Sequence, residues 1–408
     1  MPKTPTAAPD VPDTDAGPLT LQDRFYRLED TLNVELVERR SEIRAAMIAL
    51  VAGAHVFFLG PPGVAKSLLV DRIHAYITGA NAFSILMSRF TTSEEIFGPV
   101  SLRGLEEDRF VRQIDGYLAT AEIAFLDEVF KANSSILNAL LWAINERRYR
   151  HGNDVIEIPL STLFCASNEL PQDESLSALY DRLMFRFEVK PVRDPANFMR
   201  MLRTHRPERP EPIMSWQDVQ AAQAEAAEVV VPDVVFEALT ELRRQLKERD
   251  IEPTERRFVQ AMKIVRANAW LDECDVADVE HLRPLEHCLW TDPSQIAEVA
   301  GIVLKLANPL DQEAHELLAE IDKLEDQLNS IGQDEEKHRK GSEIHNKLRR
   351  AKKELDSIQE RAGNSRRRSE TIAEARDRLH NLTHRVLREV FSVDPNTVDV
   401  AAAGKKDK

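Results

Sequence analysis

The spacing of apolar residues divides this chain into a mixed first half and a helical second half. Before about residue 192, short apolar runs alternate with stretches in which apolar residues recur every three or four positions. From Asp194 onward, apolar residues recur at helical spacing. Strands that alternate with helices are typical of a parallel sheet with helices on its faces. We therefore predict an α/β domain over residues 20–192 and helical regions over residues 193–300 and 310–392.

The predicted sheet is built from short apolar runs in the first half of the chain. Each run suits a buried parallel strand, because it is continuously apolar and is bounded by polar residues or glycine. Two further stretches hold glycines between short extended runs and are predicted to be hairpins. The first of these hairpins is not expected to join the main sheet. The predicted strands are residues 55–59, 82–86, 123–126 and 162–167, and the predicted hairpins are residues 100–117 and 149–158.

Apolar residues at helical spacing predict the helices. Polar residues 38–42 interrupt the first of them, and Ser41 is a candidate N-cap for its second half. Pro195 and Pro232 suit the first turns of two later helices. The predicted helices are residues 28–52, 67–78, 134–145, 195–204, 215–227, 232–247, 254–271 and 275–283.

A glycine-rich turn connects the first predicted strand to a predicted helix. Residues 60–67 read Gly-Pro-Pro-Gly-Val-Ala-Lys-Ser. Such a turn can point successive backbone N–H groups at an anion, and the N-terminal end of the next helix adds positive potential. Lys66 would then contact the β- and γ-phosphates of a nucleotide, and the Ser67 hydroxyl would be a ligand of Mg²⁺. An ordinary strand-to-helix turn is the alternative interpretation.

One position of this turn differs from the G-x-x-x-x-G-K-[ST] pattern of phosphate-binding loops. Ala65 stands where the pattern has its second glycine. We therefore expect a negative φ at Ala65, as in the first turn of a helix. The candidate nucleotide-binding residues are Gly60, Pro61, Pro62, Gly63, Val64, Ala65, Lys66, Ser67 and Leu68.

Polar side chains follow two other predicted strands. Asp127 and Glu128 come directly after residues 123–126, and Asn168 follows the strand at 162–167. In open α/β sheets, ligands bind at the carboxyl ends of the strands. Asp127 would hold Mg²⁺ through water, Glu128 would polarise an attacking water, and Asn168 would orient that water or contact the γ-phosphate. A surface Asp-Glu turn and a structural asparagine are the alternatives.

Arginines in two segments are candidates for contact with phosphate. Arg182 and Arg186 lie among apolar residues, and in a ring of subunits one of them could reach the γ-phosphate held by a neighbour. Arg256, at the start of a predicted helix, could point back to the nucleotide. Ordinary ion pairs are the alternative for all three.

Composition and charge restrict the classes of function. The chain has 408 residues, a formal net charge of −15 and a pI near 5.3, which argues against a general affinity for nucleic acid or anionic membranes. Its apolar runs are too short to span a membrane, and its start lacks the pattern of a signal peptide. Three cysteines without metal-ligand spacing indicate buried thiols in a cytoplasmic protein. Residues 1–19 and 393–408 are expected to be disordered or flexible tails.

These motifs, taken together, resemble those of MoxR-family AAA+ ATPases, most closely the RavA branch, which resembles this chain even at Ala65. The resemblance covers roughly residues 21–292. The fold that the resemblance implies is an AAA+ P-loop α/β domain, with a parallel sheet flanked by helices, followed by an all-α lid over residues 193–300 and a C-terminal helical or coiled-coil extension. The motifs are residues 60–67, Phe-Gly-Pro at 97–99, Phe-Leu-Asp-Glu at 125–128, residues 137–147, Ala-Ser-Asn-Glu-Leu-Pro at 166–171 and Leu-Tyr-Asp-Arg at 179–182.

The resemblance also implies roles for individual residues. Asp127 and Glu128 match the metal-binding and catalytic carboxylates, Asn168 the first sensor, and Arg182 the arginine finger supplied in trans, with Arg186 as second choice. Arg256 matches the second sensor, although the family's Ser-Asp-Arg-Arg reads Thr-Glu-Arg-Arg here.

The resemblance further implies inserts, an assembly and partners. The predicted hairpin at 100–117 resembles the helix-2 insert, and the one at 149–158 resembles the hairpin before the first sensor. Family members bind ATP and Mg²⁺, form hexameric rings, and remodel or mature protein complexes with von Willebrand A-domain partners.

The C-terminal third departs from the family pattern. The RavA branch carries a small β-rich insert, whereas this chain shows apolar residues that step by four and three positions in three helical segments. Breaks near Gly332 and at residues 362–365 separate the segments, and the second break favours an antiparallel hairpin over a continuous rod. Basic residues at 349–353 and 366–368 indicate a solvated helix face, or else contact with an acidic partner or nucleic acid. The apolar seam consists of Leu317, Ile321, Leu324, Leu328, Ile331, Ile344, Leu348, Ala351, Leu355, Ile358, Ile372, Ala375, Leu379, Leu382 and Val386.

The leading hypothesis is an ATP-driven machine that remodels client proteins. A nucleic-acid-dependent ATPase is a second hypothesis, and a non-hydrolysing scaffold whose helical extension recruits partners is a third. The motor subunit of a metal chelatase is a neighbouring family alternative.

Overall fold

The computed structural model describes residues 19–151, 154–171, 174–192, 195–204, 210–307, 309–329, 337–363 and 370–391. The chain divides into two compact units, with the boundary between Ala300 and Gly301. The predicted tails before residue 19 and after residue 392 lie outside the described residues. So do the turn at 152–153, the break at Gly332 and the basic run at 366–368.

The first unit is organised around a parallel sheet with the order β3-β4-β7-β1-β8. Two short ladders accompany it, a parallel pair of β2 with β9 and an antiparallel hairpin of β5 with β6. The strands are β1 (Val56–Leu59), β2 (Ile77–Thr78), β3 (Ala82–Leu86), β4 (Ile123–Asp127), β5 (Arg148–His151), β6 (Asp154–Glu157), β7 (Thr162–Ser167), β8 (Phe185–Glu188) and β9 (Met214–Ser215).

Helices pack against the sheet and make up most of the other described residues. Short 3-10 turns at Leu118–Thr120, Val129–Lys131, Val279–His287 and Pro293–Gln295 connect some of them. The α-helices are α1 (Leu21–Glu35), α2 (Arg40–Ala52), α3 (Lys66–Ala75), α4 (Ser93–Phe97), α5 (Leu102–Glu106), α6 (Ser134–Glu146), α7 (Glu174–Arg182), α8 (Pro195–Arg203), α9 (Trp216–Ala227), α10 (Asp233–Lys247), α11 (Glu255–Leu271), α12 (Ile296–Ala307), α13 (Pro309–Asn329), α14 (Lys337–Gly363) and α15 (Glu370–Glu389).

The prediction of a parallel sheet flanked by helices is confirmed, and four of its five strands were predicted. β8 was not predicted, because its sequence Phe-Arg-Phe-Glu does not form a continuous apolar run. Strand β1 is buried along its whole length. It pairs with β7 on one side and with β8 on the other. Because successive side chains point to opposite faces and all four are buried, both faces of the sheet are covered at β1.

Three local predictions were wrong. Residues 100–117 contain the short helix α5 and a single antiparallel bridge between Val100 and Arg112 instead of a hairpin. Residues 275–283 are not an α-helix; a 3-10 segment begins at Val279, and Pro284 inside it removes a backbone donor. Ser41 is not a cap, because α2 begins one residue before it and has Arg39 at the N-cap position.

The second unit contains a bundle of three helices, α13, α14 and α15. Arg378 and Arg385 of α15 pair with Asp322 and Glu325 of α13, both at 2.6 Å, so these two helices run in the same direction. Gly341 near the start of α14 packs against Val390 just beyond the end of α15, so these two helices are antiparallel. Every predicted seam residue that is described is buried in this bundle.

None of the described helices combines the length and the apolar character that crossing a membrane requires.

Candidate functional site

The two edges of the main sheet carry different groups of polar residues. We call the edge where β1, β4 and β7 end the carboxyl edge, and the edge where they begin the amino edge. Because all five strands are parallel, the residue after each strand lies at the carboxyl edge. The residue before each strand lies at the amino edge, one strand length away.

The glycine-rich turn begins at the carboxyl edge, directly after β1. A Cβ atom on Gly60 would lie 2.3 Å from the carbonyl oxygen of Val189, so a side chain does not fit there. Gly63 has open space where a Cβ atom would lie, so a side chain would fit there. Its φ of +83°, however, lies in the left-handed region that favours glycine. The two glycines therefore shape the turn for different reasons, close backbone approach at one and a left-handed conformation at the other.

Ala65 has the conformation of a glycine. Its φ is +67°, so the prediction of a negative φ was wrong. Ala65 is the N-cap residue of α3 and lies outside the helix, and its carbonyl accepts from the amide of Leu69. A left-handed residue with a Cβ costs roughly 1–2 kcal/mol. The loop thus keeps the geometry of the pattern's second glycine at the expense of local strain, which is common at ligand sites.

Lys66 is held over the turn that precedes it. Its buried ammonium donates to the carbonyl oxygens of Gly60 and Pro61. Burial lowers the pKa of Lys66, and the carboxylates of Asp127 and Glu128 oppose this effect. The lysine and the two carboxylates are therefore close enough to interact electrostatically at the carboxyl edge.

The two carboxylates after β4 have different surroundings. The Asp127 side chain accepts a 3.0 Å hydrogen bond from the amide of Glu128. Glu128 has a φ of +52°, and its Oε2 atom lies 3.3 Å from the Lys131 ammonium without a hydrogen bond in the described structure. A buried carboxylate oxygen and a strained backbone in one residue are features of functional sites.

Asn168 completes the group of polar residues at this edge. It follows Ser167, whose carbonyl accepts a 3.0 Å hydrogen bond from the amide of Gly60. This hydrogen bond joins the ends of β7 and β1, so the exposed residue Asn168 directly follows the strand end that is bonded to the glycine-rich turn. The structure thus brings together Lys66, Asp127, Glu128 and Asn168.

The donor set at the carboxyl edge suits Mg²⁺. The Ser67 hydroxyl is exposed and the Asp127 carboxylate is half-buried, and both are the hard oxygen ligands that Mg²⁺ prefers. The described residues contain no group of three or more His, Cys, Asp or Glu side chains that could hold a metal ion. Mg²⁺ is commonly held by one or two protein oxygens together with water and phosphates.

Arg39 positions the glycine-rich turn and was not recognised as functional from the sequence. Its buried guanidinium donates to the carbonyl oxygens of Val64, at 3.2 Å, and of Lys190, at 2.6 Å. It therefore ties the turn to the chain that leaves β8. In the sequence Arg39 belongs to the polar interruption at 38–42, and nothing in that stretch distinguishes it from a surface arginine.

Arg182 lies at the amino edge. It ends α7, shortly before β8, and the amide of Phe185 donates to the carbonyl of His55 just before β1. Its guanidinium donates to the Asn145 side chain and to the carbonyl of Ala178. Burial lowers the pKa of Arg182, and the charge of Arg256 lowers it further.

Arg256 lies beside Arg182 rather than near the glycine-rich turn. Its guanidinium is 3.5 Å from the carboxylate of Asp181, to which Thr254 also donates a 2.8 Å hydrogen bond. The side chain is 52% exposed. In this structure Arg256 therefore lies at the amino edge, about one strand length from the glycine-rich turn of its own chain.

Arg186 and Arg257 are structural. Each is 1% exposed, so neither guanidinium is presented on the surface of the chain, and Arg182 is the better placed of the two candidate arginine fingers. Arg186 donates to the carbonyls of Tyr180 and Trp290, and its guanidinium lies 3.8 Å from the centre of the Tyr180 ring. Burial, followed by the charge of Arg257, lowers the pKa of Arg186 to about 9.

The sequence matches known families along most of the first unit. The model of the MoxR domain in the MoxR-vWA-beta-propeller ternary systems matches residues 23–226, which is half of the chain. This chain belongs to the MoxR family. A model of an AAA lid domain matches residues 234–303, so this MoxR-family chain has the AAA+ core followed by its lid.

Two relatives span most of the chain, and a third spans less than half of it. The uncharacterized protein MJ0079 of Methanocaldococcus jannaschii is 36% identical over 376 residues, 90% of this chain and 98% of that protein. The uncharacterized protein MJ0812 of the same organism is 40% identical over 342 residues, 82% of this chain and 91% of that protein. The structural protein ORF618 of Acidianus two-tailed virus is 29% identical over 171 residues, 41% of this chain and 28% of that protein.

A solved structure shares the fold of this MoxR-family chain. It comes from Cytophaga hutchinsonii and has an ATPase activity attributed to it. It superimposes with a TM-score of 0.58 at 16% identity, covering 71% of this chain and 95% of its own.

Proposed function

We propose that this MoxR-family protein hydrolyses ATP at the interface between copies of the chain. The observation that carries the proposal is the separation of two groups of residues. Lys66, Asp127, Glu128 and Asn168 lie at the carboxyl edge, whereas Arg182 and Arg256 lie at the amino edge. One chain alone does not bring both groups to one phosphate, so a second copy is needed to complete the site.

The residues at the carboxyl edge have separate tasks in this proposal. The backbone of residues 60–68 holds the phosphates, and Lys66 neutralises charge on the β- and γ-phosphates. The Glu128 carboxylate polarises the attacking water, and Asn168 orients that water or the γ-phosphate. Ser67 and Asp127 would hold Mg²⁺, which, when bound, stabilises negative charge on the phosphates.

The residues at the amino edge act on the neighbouring subunit. Arg182 neutralises the charge that develops on the γ-phosphate in the transition state, as an arginine finger does. Arg256 is close enough to Arg182 to affect its pKa, and it is the more exposed of the two side chains. We propose that both contact the same neighbouring nucleotide, and that the carboxylate of Asp181, 3.5 Å from the Arg256 guanidinium, offsets part of the repulsion between the two arginines.

The assembly and its partners are inferred from the family. The matched model describes systems that contain a von Willebrand A-domain protein, which we propose as the partner of this chain. We propose a ring, hexameric as in the family, that remodels or matures a client protein complex in the cytoplasm, where ATP is abundant. The resemblance to the RavA branch remains a prediction within this family.

Trapping the ATP-bound state tests the proposal. A Glu128→Gln chain should bind ATP, assemble and retain its partner and client in an affinity purification. The same variant without residues 310–392 shows whether the helical extension contributes to capture. Retention of a von Willebrand A-domain protein only by the ATP-bound trap supports the proposal, whereas ATP hydrolysis by Glu128→Gln at the wild-type rate contradicts it.

A further inference from the structure

A cavity lies at the amino edge of the sheet, away from the proposed nucleotide site. Its volume is about 600 Å³. It is partly open to solvent and is lined by the end of α2, residues 158–161, and helices α9 and α11. Glu122, directly before β4, and Ser161, directly before β7, line it, so the strands themselves separate this cavity from Lys66.

Three cations line this cavity without a carboxylate partner in the part of the chain that the structure describes. They are Arg147, Lys263 and Arg266. The Arg147 guanidinium donates 3.2 Å hydrogen bonds to the carbonyls of Gly53 and Ser161, which fix its position without neutralising its charge. The Nε atom of Arg266 is buried and has no hydrogen-bond partner among the described residues.

The carboxylate that lines the cavity is engaged elsewhere. Glu122 accepts a 2.6 Å hydrogen bond from the amide of Asn81, and no ion pair among the described residues joins it to the three cations. The chain has a formal net charge of −15, yet three cations and one carboxylate line this cavity. Burial lowers the pKa of Arg147, and a bound anion would stabilise its charge.

The chemistry of the lining identifies the class of ligand. Arg147, Lys263 and Arg266 offer only donors, and the Gln220 amide offers donors as well. A volume of about 600 Å³ lies within the range of small-molecule sites. We propose that this cavity binds a small multivalent oxyanion, bearing phosphate or carboxylate groups, independently of nucleotide at the glycine-rich turn.

Calorimetric titration at low ionic strength tests this site on the full chain. The Lys66→Ala background removes the loop lysine, so that anion binding at the glycine-rich turn is suppressed. Pyrophosphate and citrate are the two probes, because one carries phosphates and the other carboxylates. Binding of either or both supports the proposal and shows which group the site accepts.

Two double variants in the same background locate the binding. Lys263→Gln/Arg266→Gln should weaken the affinity at least about tenfold, because two of the three cations are lost. Arg27→Gln/Arg103→Gln removes the same charge from exposed positions outside the cavity and should leave the affinity unchanged. Circular dichroism confirms that both variants are folded.

Two results would overturn the inference. The first is that neither probe binds the Lys66→Ala chain, whether or not an acidic peptide such as oligoglutamate binds at the cavity. The second is that the two double variants lose the same affinity, which would indicate general electrostatic attraction.

Discussion

Lys66 and Arg182 lie at opposite edges of one parallel sheet. Lys66 follows β1, and Arg182 precedes β8, which pairs with β1 in register from Val56↔Phe185 to Leu59↔Glu188. Four residues of strand span roughly 13 Å, which is more than an arginine side chain can bridge while it keeps its contacts with Asn145 and Ala178. A catalytic site that uses both residues therefore requires two copies of the chain.

The left-handed conformation of Ala65 predicts that glycine is better at this position. Ala65→Gly should raise the free energy of unfolding by about 0.5–1 kcal/mol, because relief of strain exceeds the entropic cost of glycine. The matched control is Gly63→Ala. This change should lower the free energy of unfolding by about 1–2 kcal/mol, because Gly63 has a φ of +83°. Denaturant unfolding of both variants measures the effect, and destabilisation by Ala65→Gly would contradict the observed backbone.

Glu128 is predicted to act in the chemical step and not in binding. Glu128→Gln should lower the rate of ATP hydrolysis at least about 100-fold, because the amide cannot polarise water as the carboxylate does. The affinity for ATP should be unchanged, since Lys66 and the loop backbone remain. Steady-state phosphate release and equilibrium binding of a fluorescent ATP analogue separate the two effects. A parallel loss of binding would indicate a structural role for Glu128.

Neighbouring arginines at the start of α11 are predicted to behave in opposite ways. Arg257 is buried and donates to the carbonyls of Asp181, Leu183, Met184 and Cys288. Arg257→Ala should lower the free energy of unfolding by about 3 kcal/mol or more, because these carbonyls lose their donor.

The matched variant for this prediction is Arg256→Ala. Its exposed side chain should cost less than about 1 kcal/mol of stability, because its ion pair with Asp181 is largely solvated. It should nevertheless reduce ATP hydrolysis by the assembled protein. Thermal unfolding and phosphate release on both variants make the comparison. Equal losses of stability in Arg256→Ala and Arg257→Ala would contradict the finding that Arg257 is buried and Arg256 is exposed.

His55 is predicted to make stability depend on pH. Burial, followed by the charges of Arg147 and Lys263, lowers its pKa from 6.5 to about 3, and its Nδ1 accepts from the amide of Leu163. Between these values the unfolded chain binds a proton that the folded chain excludes, so stability falls as the pH falls from about 6.5 towards 3. The contribution of His55 is about 1.4 kcal/mol per pH unit within that window.

The variant His55→Asn measures this contribution. Asparagine keeps an acceptor for the Leu163 amide but does not titrate. Urea unfolding of both chains between about pH 6.5 and 4.5 should show a shallower loss of stability in the variant. Part of the slope should remain, because burial and Arg283 also lower the pKa of His287, to about 4. Identical slopes would show that His55 takes up a proton in the folded chain.

The sequence predicted the sheet and the ends of its strands well, because buried parallel strands are continuous apolar runs that stop at polar residues. Leu59, Asp127 and Ser167 end strands within one residue of the predicted positions. It failed where conformation depends on the surroundings. The positive φ of Ala65 is imposed by the loop, and a residue's identity does not reveal it when glycine is absent.

Arginine roles were the least predictable part of the site. Arg182, Arg186, Arg256 and Arg257 occur in similar sequence contexts, yet two are buried against backbone carbonyls and two face the amino edge. Arg39 was missed for the same reason. A guanidinium can serve a carbonyl, a carboxylate or a phosphate, and tertiary packing decides which of these it meets.

Complementation between two inactive variants tests the proposed interface most directly. Lys66→Ala and Arg182→Ala chains should each lack ATP hydrolysis when expressed alone. When they are co-expressed in equal amounts, about one quarter of the interfaces pair an intact Lys66 with an intact Arg182, so about a quarter of wild-type activity should return. Mixed assemblies with no more activity than either variant alone would contradict a site shared between subunits.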